Sequence, residues 1–447
     1  MAKEITIGNG ILVTLGKENL VIPRGAVLIR DGVIAAVGTD AEVRKQAPEA
    51  EYVDAAGKVI MPGLINAHHH LYSTFARGMA PKDPPPYTFV EVLERLWWPL
   101  DAALVEGDLY YAAMLPLIDC IKQGTTSIID HHESQGYQIG SLSELAKAVD
   151  DSGIRGCLCL GISDRYGRGA EGIEENVRFV KEANSVPATA ARRVCGMFGL
   201  HAAFTVEDET LAAAVSAADR LGVGFHTHVA EAASDEEASL VRYGQRVLRR
   251  LRDKGALGEK SLAIHCVHID GEETDILLET GTAAVHNPES NMNNAVGVAP
   301  VLEMFGRGIA VGLGTDGMTS DMRSGVKTAF FLQHLAQEDP RVGFCESCSL
   351  LLDNNPEIVS RQFGYRVGVL APGAAGDVIV VDYTAPTPLD GNTWLGHFLF
   401  GICCGAAVDT TVVGGKVLMR GKKLTLLDEE ALAARCRERA RAFYGRF

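Results

Sequence analysis

Between residues 60 and 316, short apolar runs recur, and all but one end on a titratable side chain: Gly63 to His70, Thr125 to Asp130, Ile154 to Leu160, Gly196 to His201, Gly222 to His228, Leu262 to His265, Thr282 to His286 and Gly308 to Asp316. Helical segments separate these runs, which is the texture of parallel β/α units. Eight such strands predict a distorted (β/α)8 TIM barrel, an α/β fold whose chemistry sits at the carboxyl ends of its strands. The histidines and aspartates gather at that rim rather than scattering along the chain.

The first run narrows the chemistry. In Pro62-Gly63-Leu64-Ile65-Asn66-Ala67-His68-His69-His70, alternate side chains share a face, so His68 and His70 converge. Two imidazoles from one strand end are half of a first-row metal site, but a solvated loop entry is the competing reading until partners are found. In His226-Thr227-His228-Val229-Ala230-Glu231, parity puts His228 at the lip and His226 deeper, as a supporting or core residue. Glu231 follows in the loop above, where a carboxylate can carry a proton between water and substrate. Asp316, in Gly312-Leu313-Gly314-Thr315-Asp316-Gly317, ends the eighth strand, next to the first in a closed barrel; its ordinary alternative is a helix N-cap. The small residues Ala310, Gly312 and Gly314 are read as leaving room inside for metal and substrate.

A chain of 447 residues exceeds one compact domain. Residues 1–59 and 365–447 carry short strands, including an Asp31-Gly32 hairpin signal, and are expected to form one composite β-sandwich around the barrel of residues 60–364. The final Ala/Arg-rich helix, from Asp428 to Phe447, is expected to cover a barrel face or a partner subunit. A net charge of −15 argues against a nucleic-acid partner. Met1-Ala2-Lys3-Glu4-Ile5 lacks an apolar leader core and no run of about twenty apolar residues occurs, so the expectation is a soluble, cytoplasmic protein without a membrane partner. The scattered cysteines imply no disulfides, and Cys345-Glu346-Ser347-Cys348 reads as helix packing.

Together these motifs resemble the amidohydrolase superfamily, in its ATZ/TRZ and cytosine-deaminase-like branch with one metal, and most closely its SsnA-type aminohydrolases. The resemblance runs the whole length through PGLINAHHH, Gly124-Thr125-Thr126-Ser127, His201-Ala202-Ala203-Phe204, HTHVAE, His265-Cys266-Val267-His268, LGTDG and VVGGKVLMRGKKL. Leu96-Trp97-Trp98-Pro99-Leu100, Asp130-His131-His132-Glu133 and Ser290-Asn291-Met292-Asn293-Asn294 point to the SsnA-like subgroup. By position, the resemblance implies that His68, His70, His228 and Asp316 hold one divalent ion, Zn²⁺ first with Fe²⁺ or Mn²⁺ as alternatives. It implies that Glu231 shuttles protons, that His265 and Asp316 orient the attacking hydroxide, and that His201 contacts a small heterocyclic substrate. The fourth strand offers His201 rather than the lysine of two-metal relatives. A dimer or larger homo-oligomer is also implied.

Asn287-Pro288 stands where many relatives have Cys-Pro, and Ala203 replaces a frequent proline, so substrate identity does not carry over. Pocket candidates are Tyr72, Arg77, His131 and the Pro81–Pro86 loop with Trp97 and Trp98. Arg77 suits a carbonyl or carboxylate and equally a structural ion pair, and the Trp pair is expected in the core. His69, His132 and His268 read as structural. The expected activity is hydrolytic deamination of a purine-, pyrimidine- or triazine-like ring; the alternatives are cyclic-amide hydrolysis and, with less support, an inactive binding protein.

Overall fold

The computed structural model describes residues 4–80 and 82–447; Pro81 of the proline-rich loop and residues 1–3 of the N-terminal stretch lie outside the described residues. Both chain ends contribute to one nine-stranded sheet. From the N-terminal side come β1 (Glu4–Val13), β2 (Val21–Arg30), β3 (Val33–Thr39), β4 (Glu51–Asp54) and β5 (Val59–Pro62). The barrel follows as β6 (Leu64–His69), β7 (Thr125–His132), β8 (Arg155–Ile162), β9 (Val194–Gly196), β10 (Phe198–Ala202), β11 (Phe225–Val229), β12 (Leu262–His265), β13 (Ala283–His286) and β14 (Val311–Leu313). The chain then returns to the terminal sheet with β15 (Val378–Asp382), β16 (Ala407–Val413), β17 (Lys416–Arg420) and β18 (Lys423–Leu424).

The terminal sheet runs β18-β17-β16-β15-β5-β1-β2-β3, with β4 beside β1. Its two halves meet at β5, which is antiparallel to β15 and parallel to β1, so this sheet extends to Pro62. Asp31 (φ 49°) and Gly32 (φ 82°) form the two-residue turn between β2 and β3, and a double positive φ is what the right-handed twist of a hairpin favours. Ile5, Ile7, Val27, Ile29, Val378, Val380 and Val412 form the shared core.

The barrel strands are parallel in the order β14-β13-β12-β11-β10-β8-β7-β6, with β9 on β8. Closure between β6 and β14 is partial. At the rim, His69 bridges to Asp316, and the backbone N–H groups of Thr315 and Asp316 donate to the His68 carbonyl at 3.0 and 3.1 Å. Below, the strands part and the Asn355 side chain fills the gap, accepting from Leu313 N and donating to Ile65 O and Leu313 O, each at 2.8 Å. A Cβ on Gly312 would lie 2.6 Å from Asn355 Oδ1, and one on Gly314 would lie 2.3 Å from Asn287 Oδ1. These glycines therefore make room for Asn355 and Asn287, which corrects their reading as space for a substrate. Ile129, Cys159 and Met197, on the same strand faces as His131 and His201, pack with Ile358 and Phe363 of helix Asn355–Phe363 into an apolar floor.

Barrel and terminal sheet are tied by a buried ion pair. Arg155 at the start of β8 grips Asp377 with Nε (2.6 Å) and Nη2 (2.9 Å), and Asp377 Oδ1 also accepts from Gly414 N. Asp377→Ala strands a buried guanidinium, so it is expected to destabilise the protein by about 3–5 kcal/mol, measured as a lowered urea midpoint; an unchanged midpoint would show the pair to be dispensable. The C-terminal helix (Glu429–Tyr444) covers a barrel face beside helix Leu109–Gln123. The Phe443 ring lies 5.2 Å from Phe75, Tyr444 Oη donates to Phe75 O at 2.8 Å, and Arg446 pairs with Asp108. All ten cysteines are free; Cys348 is buried and Cys345 exposed on one helix. No helix among the described residues is long and apolar enough to cross a membrane.

Candidate functional site

The histidines at the strand ends converge. Ring centroids are 4.7 Å apart for His68 and His70, 5.2 Å for His68 and His228, and 5.3 Å for His70 and His228. Each ring is anchored through Nδ1, to His226 Nε2 for His68 (2.8 Å), to the His131 carbonyl for His70 (2.5 Å) and to the His201 carbonyl for His228 (2.6 Å). A carbonyl only accepts, so His70 and His228 carry their proton on Nδ1 and turn an Nε2 lone pair inward. These two Nε2 atoms lie 3.3 Å apart, and His68 Nε2 is buried with no hydrogen-bond partner. Facing lone pairs without a proton between them are what a divalent cation satisfies, so the residues present fit a metal.

Asp316 lies beside these imidazoles. Its Oδ1 lies 3.2 Å from His70 Nε2 and 3.9 Å from His68 Nε2. Burial opposes its charge, but His70, His265, the Ser290 hydroxyl and His228 outweigh burial and hold the carboxyl below its ordinary range. Burial, followed by the neighbouring imidazoles, pushes His68 and His228 well below the usual histidine range, leaving neutral donors. Asp316 (φ 55°), His265 (φ 73°), Cys266 (φ 51°) and Ala230 (φ 46°) all take left-handed backbone conformations. Such strain persists only where surrounding structure enforces it; here it aims side chains off three strand ends into one space.

Glu231 Oε2 lies 3.3 Å from His265 Nε2, and His265 Nε2 is 3.7 Å from Asp316 Oδ2. Burial, then the charges of Asp316 and Asp235, push the Glu231 carboxyl well above its ordinary range. The segment Ser290–Asn294 fixes all three groups: Ser290 Oγ donates to Asp316 Oδ2 (2.7 Å), Asn291 Oδ1 accepts from His265 Nδ1 (2.8 Å) and Asn294 Nδ2 donates to Glu231 Oε1 (3.1 Å). With its proton on Nδ1, neutral His265 presents an acceptor at Nε2.

The adjoining cavity is lined by Tyr72, His201, Phe204 and Met318, and also by Trp97 and Trp98; Trp97 packs against the main apolar core as well, so the core expectation holds for it in part. Tyr72 packs edge-on to His70 and Trp97. Arg77 is not brought to this cavity: its guanidinium is largely exposed and lies 3.8 Å from Asp119, so the ion-pair alternative is the one observed. His131 is buried with Nε2 near the Leu200 carbonyl, while His268 bonds the Val296 carbonyl. Sequence reasoning missed the cavity-lining Asp101 and Asp235, and gave no roles to Glu133, Ser290, Asn291 and Asn294, although their motifs were singled out.

The profile of the Amidohydrolase family matches residues 59–418, through the barrel and into both arms of the terminal sheet. The chain belongs to the amidohydrolase family. Residues 25–50 of this amidohydrolase also match the bacterial imidazolonepropionase-like composite domain. Among curated relatives it is 32% identical over 423 residues to a 5-methylthioadenosine/S-adenosylhomocysteine deaminase of Desulforudis audaxviator, covering 93% of this chain and 94% of the relative. It is 33% identical to a 5'-deoxyadenosine deaminase of Methanosarcina mazei, covering 99% of each. Its fold matches a zinc-bound adenosine deaminase of Xanthomonas campestris with TM-score 0.86 and 24% identity, over 99% of this chain and 98% of that one. It also matches a zinc-complexed atrazine chlorohydrolase of Arthrobacter aurescens with TM-score 0.82 and 22% identity, over 98% and 100%.

Proposed function

We propose that this amidohydrolase deaminates a small nitrogen heterocycle by hydrolysis, using one divalent ion, zinc first, held by His68, His70, His228 and Asp316. The observation that carries the reading is the buried Glu231 carboxyl beside His265 and Asp316, in the cavity that His70 and His228 also line. The names of the curated relatives, all deaminases of adenine nucleosides among those cited, support the same reaction class.

When bound, a divalent cation lowers the pKa of a water and supplies hydroxide at neutral pH. The protein's own groups do the rest. Anionic Asp316 and the His265 Nε2 acceptor hold the attacking oxygen through its hydrogens and set its line of approach. Glu231 takes the proton released from water and delivers it to the ring nitrogen adjoining the carbon under attack. That carbon becomes tetrahedral; the remaining proton, from the newly attached hydroxyl, passes to the exocyclic amine, the C–N bond breaks, and ammonia leaves as the carbonyl forms. His201 and Tyr72 contact the ring from the cavity wall. This reading extends to a cytoplasmic, self-associating enzyme and to a division of the chain near residues 60 and 364 into a barrel and a unit built from both ends, the terminal sheet running on to Pro62.

Incubation of the zinc-loaded protein with aminated purines, pyrimidines and triazines is expected to release one ammonia per turnover, with kcat/KM of about 10⁴ M⁻¹s⁻¹ or above for the preferred ring. Ring opening without ammonia would convert the assignment to a cyclic-amide hydrolase. No turnover at full metal occupancy would leave a binding protein.

A further inference from the structure

One wall of the cavity that holds His70, His201 and Glu231 comes from the segment after Lys82. Phe89, Leu93 and Trp97 line it; at intervals of four they share a face of helix Phe89–Val92 and the π-helical turn Leu93–Trp97 that continues it. Such turns recur at functional sites. The segment is loosely rooted. Among the described residues, Phe89, Val90, Val92, Leu93 and Leu96 belong to no apolar core cluster, and Trp97 alone of these helical residues packs against the main one. Helix and turn make their principal contacts with each other and with helix Trp98–Ala103 rather than with the barrel. Within itself the segment is ordered: Thr88 and Glu91 form a capping box, and Arg95 pairs with Glu91 and donates to Pro84 O at 3.2 Å. A stretch that is ordered within itself and sparsely packed on its surroundings is able to move as a unit.

Both of its ends are held by the C-terminal helix and the residues that follow it. At the start, Lys82 Nζ donates to Phe447 O and lies 5.5 Å from the Phe447 ring centroid. Past the end, Arg446 Nε donates to Ala103 O at 3.1 Å, and Arg439 donates to the Glu106 and Gly107 carbonyls at 2.9 Å each. The bond from Tyr444 Oη to Phe75 O fixes helix Leu71–Ala76, which carries Tyr72 into the same cavity.

We propose that residues 83–97 form a lid whose Phe89–Leu93–Trp97 face closes on the flat side of the substrate ring, and that Tyr444, Arg446 and Phe447 are positioning residues that clasp the frame around it. An apolar row that the core leaves uncovered gains burial when a planar ring lies against it. Closure on a ring rests on the deaminase reading, whereas the clasp stands on the contacts of the chain with itself.

The test sets three zinc-loaded, full-length variants beside the parent: Lys82→Met with Tyr444→Phe, Arg446→Ala, and as a control Arg435→Ala, whose partner is the exposed Glu438 of the same helix. Losing one or two hydrogen bonds shifts a closed–open balance by about tenfold. Amide hydrogen exchange of residues 89–97 in the ligand-free protein is therefore expected to rise about tenfold in the two clasp variants, and to keep the parent rate in the control and in β6 and β7. Acrylamide quenching reads the same opening, because Trp97 and Trp98 are two of three tryptophans and the third, Trp394, is fully buried. For the aminated ring that releases most ammonia, KM should rise about tenfold in the clasp variants with kcat within threefold and zinc content unchanged. The same ring bound to Glu231→Gln should slow exchange across residues 89–97. Absence of ammonia from every ring would overturn the deaminase reading and leave exchange and quenching to decide the clasp. Exchange at the parent rate in both clasp variants, or a rise shared by β6 and β7, would overturn the clasp. Exchange unaffected by the bound ring, or KM within threefold of the parent, would overturn closure on the substrate.

Discussion

Glu231→Gln is expected to keep the bound ion and lower kcat by about 10²–10⁴-fold. Glutamine has the size of glutamate and its Oε1 can still accept from Asn294 Nδ2, so the loop geometry has no reason to change. It cannot exchange a proton, which is the single property the mechanism asks of this residue. Steady-state kinetics beside metal analysis on the same preparation separates the two effects. A variant turning over within threefold of the parent would move proton transfer to another group.

His228→Ala is expected to act earlier, on the metal itself. His228 is held by the His201 carbonyl and its Nε2 meets that of His70, so its removal opens one quadrant of the cluster. Loss of a partner that merely orients a ligand costs about 10–100-fold in metal affinity, and loss of the ligand should exceed that, taking activity below detection at limiting zinc. His226→Ala supplies the milder comparison, since His226 touches only the Nδ1 side of His68. Zinc binding unchanged in His228→Ala would remove that residue from the ligand set.

Period-two alternation made much of this legible in the sequence. It paired His68 with His70 and His226 with His228, while continuous apolar runs located the eight strands, because barrel strands are buried on both faces. The Asp31-Gly32 turn was readable because its backbone requirement is local. What escaped depends on closure of the chain over long separations. Asn355 replaces a strand partner for β6 and β14, a role that no local pattern announces. Trp97 and Trp98 have the composition of core residues, and only the path of their helical run beside the rim turns them to the cavity. Arg77 follows the first strand closely in sequence, yet the short helix Leu71–Ala76 carries it out to Asp119. The polarity of Ser290–Asn294 was visible, but which three groups it would meet was set by three different strands.

The seam between the first and last barrel strands carries one more implication. Asp316 hydrogen-bonds through its own backbone to His68, so the last donor joins the cluster by the same contact that shuts the cylinder. A nascent or clipped polypeptide ending before residue 316 has the imidazoles but lacks the carboxylate proposed as the fourth ligand. On the proposed ligand set, tight cation uptake would report on completed folding, with loading reserved for molecules whose two ends of the barrel have found each other.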